Sequence, residues 1–352
     1  CHTYSRSPFH CLVVQLTTTM VRLLYLATAI AASPLCNALS VQRKANIGTQ
    51  FTRSNFIYST ASAIFFTDMS ILVTASSPAC AAEETNNNNP RYLESEVQAK
   101  YGDDRNGNPR TREMHVRRFT GDSTPYTFPT PRPLSLVKEW PEEVPFEKRD
   151  LFRADEGDDE IFYNLPRLVY HIDEPAVAAL TQYYRNNIPA GSKILDICSS
   201  WVSHYPLEFK DTMKRISGTG MNPLELIEND QLTDYEARNL NVNPTLSYDD
   251  DTFDVVTCVV SIDYLIHPIE VLKEVRRVLK PGGKVIISQS NRCFPSKAIA
   301  MWLNMDDRQH LELINGYAKY AGFGPGIAYD ITASVPAGEP YNDPMFIVEI
   351  SK

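Results

Sequence analysis

Short apolar runs alternate with amphipathic segments from residue 193 to the end of the chain. Ile194, Leu195 and Ile197 form the first run, bounded by a turn at 189–192 and by small residues after it. A run of this length between turn residues predicts a buried parallel strand. A short helix over 207–214, a second strand over 215–218 and a helix over 223–229 are expected next. Asn239, Leu240 and Asn241 are expected to end a third strand. The apolar run 253–260 predicts a fully buried fourth strand. Over 268–279, Val271, Leu272, Val275, Val278 and Leu279 share one helical face, with Glu270, Lys273, Glu274, Arg276 and Arg277 opposite. Lys280, Pro281, Gly282 and Gly283 stop that helix. Residues 284–289 form the expected fifth strand. This alternation predicts an α/β domain on a mostly parallel sheet.

Ahead of this domain the pattern changes. Residues 136–190 predict a helical lead-in, in which aromatics alternate with acids through 152–170. Asp173 is expected to cap a helix that starts at Glu174 and Pro175. Residues 83–135 are polar and rich in Pro, Asn and Arg, and predict a disordered or extended Pro-rich region. Arg117 and Arg118 are expected to be solvated, with an acidic partner as the alternative. The expected division is a leader at 1–82, this region at 83–135 and one domain at 136–352.

The leader has its own pattern. Residues 1–19 contain no Met and read as translated upstream sequence. Arg22, the apolar run 23–32 and the small-residue site at Ala38, Leu39 and Ser40 read as a signal segment. A basic, acid-free stretch at 41–55 follows, then a second apolar stretch at 56–82. Asp68 in its middle makes a membrane span costly, so a cleaved or peripheral segment is expected rather than an anchor. Two successive modules of this kind resemble the leader of a plastid protein from an alga whose plastid is entered through the endoplasmic reticulum. The second module is similar to a thylakoid-transfer signal. The resemblance implies a plastid location, lumenal or peripheral to the thylakoid membrane.

Charge and cysteine usage narrow the functional classes. A net charge of -9 over 352 residues argues against a nucleic-acid-binding surface. Four of the seven cysteines fall in the leader. Cys198, Cys258 and Cys293 are scattered and fit neither a metal motif nor a disulfide framework. Asp249, Asp250 and Asp251 read as a solvated turn, since adjacent acids alone do not hold a metal.

Candidate chemistry collects at the strand ends. Asp196 closes the first strand and Cys198, Ser199 and Ser200 follow, where open α/β sheets bind nucleotides. No G-x-G-x-x-G follows that strand, which disfavours a nicotinamide-dependent oxidoreductase. The three small residues occupy the places where glycines would allow positive φ. Past the second strand, Asn222 is a candidate for ribose hydroxyls or for the cap of the next helix, and both roles are compatible. Asn239 is a candidate for an adenine edge or for a turn.

The pattern of Phe253, Asp254, Val255 and Val256, then 270–287 with its Val-Leu-Lys-Pro-Gly-Gly element, resembles class I S-adenosylmethionine-dependent methyltransferases of the type-11 or UbiE-like group. The segments at 196–204, 220–222, 261–265 and 290–294 are similar to a plastid-targeted plant and algal branch of that group with a degenerate glycine motif. The resemblance implies a Rossmann-like, doubly wound, mostly parallel seven-stranded sheet with an antiparallel last strand, closed by strands at 324–331 and 345–350. It implies S-adenosylmethionine as cofactor. The turn Asp196, Cys198, Ser199 and Ser200 would meet its amino-acid part, Asn222 the ribose, Asn239 and Leu240 the adenine, and Ser261 would border the methyl group. The activity implied is methyl transfer to a small-molecule, lipid-like or protein acceptor. The alternative is a catalytically inactive binding or assembly factor. Asp263 and Tyr264 would lie near the acceptor, with Asn291 and Arg292 available to a polar or anionic one. His204 is expected as a capping or surface residue and His267 as a helix-start residue. No catalytic base is assigned.

Overall fold

The computed structural model describes residues 73–74, 90–103, 109–339 and 342–352. Apart from Val73 and Thr74, the leader expected at 1–82 lies outside the described residues. So does most of the Asn-rich linker.

The first described elements belong to a small antiparallel sheet. β1 (Val73–Thr74) pairs with β2 (Tyr92–Asp103), which pairs with β3 (Pro109–Phe119) in the register Tyr92↔Phe119 and Val97↔Met114. This hairpin departs from the extended Pro-rich segment expected across 83–135. The prolines cluster after Phe119, while Leu93, Val97, Val116 and Phe119 supply enough apolar surface for docking. Val97 and Val116 are buried against Trp201. Glu174 accepts from Arg91 at 2.8 Å and from the Tyr92 hydroxyl at 2.7 Å. Arg118 is not solvated. It pairs with Asp230 and donates to the Glu228 carbonyl at 2.8 Å, while Arg117 remains exposed over the Tyr92 ring.

The lead-in is less helical than expected. Between β4 (Arg132–Leu134) and residue 172, one short helix forms, α1 (Asp159–Tyr163). α2 (Glu174–Asn187) begins as expected, with the Asp173 carboxylate accepting from the Ala176 N–H at 3.0 Å.

The main domain then runs β5 (Lys193–Ile197), α3 (Phe209–Thr212), β6 (Arg215–Gly220), α4 (Pro223–Glu228), β7 (Asp234–Ala237) and β8 (Phe253–Val259). It continues through α5 (Pro268–Val278), β9 (Leu279–Gln289), α6 (Asp307–Tyr320), β10 (Ile327–Asp330) and β11 (Phe346–Ser351). The sheet order is β4-β10-β11-β9-β8-β5-β6-β7. Strands β7, β6, β5, β8 and β9 are parallel, and β11 lies antiparallel to both β9 and β10. This is the expected doubly wound α/β architecture with seven strands present. An eighth, β4, is added on the outer edge of β10 in the register Ala328↔Leu134. β7 ends at Ala237, so Asn239, Leu240 and Asn241 follow the third parallel strand instead of ending it.

Both faces of the sheet are covered, which is why its strands read as continuous apolar runs. Leu195, Ile197, Val256, Val285 and Ile287 pack with Val271, Leu272 and Val275 of α5 and Leu313, Ile314 and Tyr317 of α6. Ile194, Ile216, Val255, Ile286 and Ile347 pack with Val177, Leu180 and Tyr184 of α2 on the other face. Cys258 is a buried core residue, as its neighbours require. Asp250 and Asp251 are ion-paired, to Arg277 and Lys352. Among the described residues no helix is long and apolar enough to cross a membrane.

Candidate functional site at the carboxyl edge of the sheet

A cleft of about 520 Å³ opens at the carboxyl edge of β5, β6 and β8. That size lies within the range of small-molecule sites. Asp196, Cys198, Ser199, Ser200, Asn222, Asn239, Leu240 and Ser261 all line it. The sheet topology brings these eight together from four separate stretches of chain.

The turn after β5 is built without glycine. Cys198 takes a φ of 55°, the left-handed conformation that a glycine would take there. Val260 and His204, which also line the cleft, have φ of 38° and 58°. Three such residues around one cavity mark strain that the surrounding packing holds in place. The turn backbone also closes tightly on β6. A Cβ at Gly220 would lie 2.0 Å from the Ser199 carbonyl oxygen.

Asp196 organises the floor. One oxygen accepts from Ser199 and Ser203, each at 2.7 Å, and the other from Thr257 at 2.9 Å. Burial pushes this carboxyl up to about 6, and the three hydroxyl bonds pull it back toward the charged form. Ser200 donates to Glu225 at 2.6 Å. Asn222 is committed as a cap. Its oxygen accepts from the Leu224 and Glu225 N–H groups at 2.8 and 3.3 Å, and its amide donates to the Tyr163 and Asn164 carbonyls at 2.8 and 3.3 Å. A ribose contact at Asn222 requires release of those carbonyls. Asn239 forms a turn, accepting from the Asn241 N–H at 2.9 Å, and Ser261 donates to the Val259 carbonyl at 2.7 Å.

Trp201 and Tyr205 leave the cleft open. The Trp201 ring turns toward the hairpin and donates to the Val169 carbonyl at 3.1 Å; Tyr205 is bonded to Thr257 at 2.6 Å. His204 is not a surface residue. It lines the cleft, its Nδ1 is buried with no hydrogen-bond partner among the described residues, and burial pushes it down to about 4. The reason is local. Ser203 and Tyr205 on either side are both tied to the Asp196 network, which fixes the strained backbone between them. His267 stands at the start of α5 and makes no capping bond. Tyr264 lines the cleft and accepts from the Phe294 N–H at 2.8 Å. Asp263 does not line it. Both its carboxyl oxygens are buried with no hydrogen-bond partner among the described residues, and burial pushes the carboxyl well above its usual range. Asn291 and Arg292 are at the rim, with Arg292 Nε 3.6 Å from Asp343.

Sequence reasoning missed the contribution of the lead-in. Arg153, Asp159, Tyr163, Arg167, Tyr170 and His171 all line the cleft. The segment is held down by Asn222, by Glu225, which accepts from the Arg167 N–H at 2.7 Å, and by Asn241, which donates to Asp159 at 3.0 Å. The alternation of aromatics and acids through 152–170 was the available signal.

Residues 207–287 match the family model described as a methyltransferase domain. The chain is 27% identical over 125 residues to a demethylmenaquinone methyltransferase of Bacillus subtilis, covering 30% of this chain and 48% of the relative. It is 29% identical over 107 residues to a ubiquinone biosynthesis O-methyltransferase of Pseudomonas entomophila, covering 29% and 46%. It thus spans about half the length of the curated relatives it matches. Among solved structures, a SAM-dependent methyltransferase of Thermotoga maritima aligns at 16% identity with a TM-score of 0.38, over 51% of this chain and 90% of that one. The sheet order gives the α/β fold of the Rossmann-like kind, and residues 207–287 within it are similar to a methyltransferase domain.

Proposed function

We propose that the chain transfers a methyl group from S-adenosylmethionine to a small-molecule acceptor. The observation that carries this reading is the convergence of all eight expected cofactor positions on one cleft. The cleft also holds a buried, unpartnered His204 nitrogen, as expected of a site that takes a polar ligand. When bound, the cofactor supplies a sulfonium methyl group open to in-line displacement. The protein's task is then orientation and exclusion of water. The backbone of residues 198–200 offers the close approach that the amino-acid part needs. Leu240, buried beside Asn239, gives the adenine an apolar wall. Ser261 would border the methyl group.

A specific observation favours a second reading, a binding or assembly factor without catalysis. The side chains of Asp196, Ser199, Ser200 and Asn222 are bonded to protein groups. Calorimetry on the purified chain separates the two. Methyl transfer requires S-adenosylmethionine or S-adenosylhomocysteine to bind with micromolar affinity, about -8 kcal/mol. Absence of heat up to millimolar ligand on folded protein leaves the second reading.

The leader supports a plastid location, lumenal or peripheral to the thylakoid membrane, and we propose it on the two targeting modules alone. A fluorescent protein fused behind residues 20–82 should collect in plastids of a host with such an organelle. Retention in the cytosol excludes the assignment.

A further inference from the structure

Among the described residues Arg167 forms no ion pair. Arg91, Arg118, Arg153, Arg185, Arg215 and Arg277 each meet a carboxylate. Among described arginines that form no ion pair, Arg276 and Arg308 are exposed to solvent, whereas Arg167 is half-buried in the cleft wall. One guanidinium nitrogen donates to the Phe162 carbonyl at 2.9 Å, and the remaining donors have no partner among the described residues. Glu225 feels the Arg167 charge but forms no ion pair with it, and its two oxygens take the Arg167 backbone N–H and Ser200. A guanidinium removed from bulk water without a carboxylate costs stability, and the fork of donors is shaped to repay it by gripping an anion.

The surroundings say what the anion is attached to. The Arg167 guanidinium lies 4.6 Å from the Phe162 ring centroid and 5.7 Å from that of Phe294. Phe294 meets His171 edge-on at 5.2 Å and Phe162 edge-on at 5.6 Å, and lies tilted over Tyr264 at 5.9 Å. Tyr163, His171, Tyr264 and Phe294 line the same cleft. Ring walls of this kind favour a planar partner through offset and edge contacts. They also hold the guanidinium in one orientation, so less freedom is lost when an anion docks.

We infer that Arg167 and the rings around Phe294 form a subsite for a carboxylate-type anion carried on a ligand with a planar ring. The inference deepens the methyltransferase reading by naming the chemistry the cleft recognises. Under that reading the anion belongs either to the cofactor's amino-acid part or to the acceptor. Two probe pairs, each a carboxylate-bearing ligand and a counterpart without the carboxylate, distinguish the sources. S-adenosylhomocysteine is compared with 5′-methylthioadenosine by calorimetry, and 4-fluorobenzoate with 4-fluorobenzamide by fluorine NMR. Both pairs are measured on the full chain and on Arg167→Gln and Arg167→Lys.

The expected result is a preference for the anionic member of at least one pair by about tenfold or more, abolished in Arg167→Gln and partly kept in Arg167→Lys. Loss in the adenosyl pair assigns the cofactor's carboxylate; loss in the benzoate pair assigns the acceptor's. Retained 5′-methylthioadenosine or 4-fluorobenzamide affinity and an unchanged melting temperature show that the variant is folded. Equal affinities within both pairs in the natural chain, or a preference that survives Arg167→Gln, overturn the subsite. If no adenosyl ligand binds while the benzoate preference depends on Arg167, the subsite stands and the methyltransferase reading falls.

Discussion

Cys198 holds a backbone conformation that sequence reading had reserved for glycine, and its neighbours show how. The turn is clamped by Asp196 through Ser199, and by the approach of Ser199 to Gly220, so the geometry survives without the residue that usually makes it easy. The two titrating groups at this floor act against each other. Asp196 is raised from 3.8 to about 6, so it stabilises the fold below about pH 4 and loses that contribution as pH rises, about 3 kcal/mol in all. His204 is lowered from 6.5 to about 4, so its contribution is present above the upper value and lost as pH falls. Its size is smaller, because the ring partly meets water in the cleft. Across this window the two contributions oppose each other. Relative to the natural chain, His204→Asn should make stability fall more steeply as pH rises, and Asp196→Asn should make it rise. Denaturant midpoints at about pH 4.5 and about pH 7 read the sign directly. Parallel shifts in both variants contradict the pairing. At this scale the positions of the cleft residues were legible from strand ends. Their bonding was not, because Asn222 and Ser200 find partners far along the chain in Tyr163 and Glu225.

Among the elements, α5 was the most legible. Its five apolar positions recur at helical spacing, and Val271, Leu272, Val275 and Val278 are buried as that spacing requires. The lead-in was the least legible. It folds over the cleft on a buried charge cluster that no periodicity announces. Asp159 accepts twice from Arg153, at 2.8 and 2.9 Å, and sits 3.0 Å from Lys297 and from the Asn241 amide. Arg153, Asp159 and Lys297 are all buried. Removing Asp159 leaves the buried Arg153 guanidinium without a carboxylate and Lys297 with Asp155 alone, at 3.2 Å. Asp159→Ala should therefore cost about 3–5 kcal/mol in urea denaturation, with faster amide exchange across 153–171 than in the rest of the domain. A loss under about 1 kcal/mol contradicts a structural role for the cluster.

At the largest scale, the described residues form one covered sheet with a hairpin docked beside it. The sheet was legible because burial on both faces forces continuous apolar strands, and such runs between turns admit few other readings. The hairpin was not, since β2 and β3 alternate polar and apolar positions too weakly to stand apart from the Pro-rich chain that follows. β4 was hidden for a related reason: Pro133 lies at its centre and argues against a central strand, yet an outermost strand tolerates a missing donor. Its three residues have a consequence for the chain in a crowded compartment. They occupy the row of backbone groups that β10 would otherwise present to any extended segment nearby. Proline then offers no N–H for a further strand to bond. Growth of the sheet on that side is disfavoured by a three-residue segment with a proline at its centre.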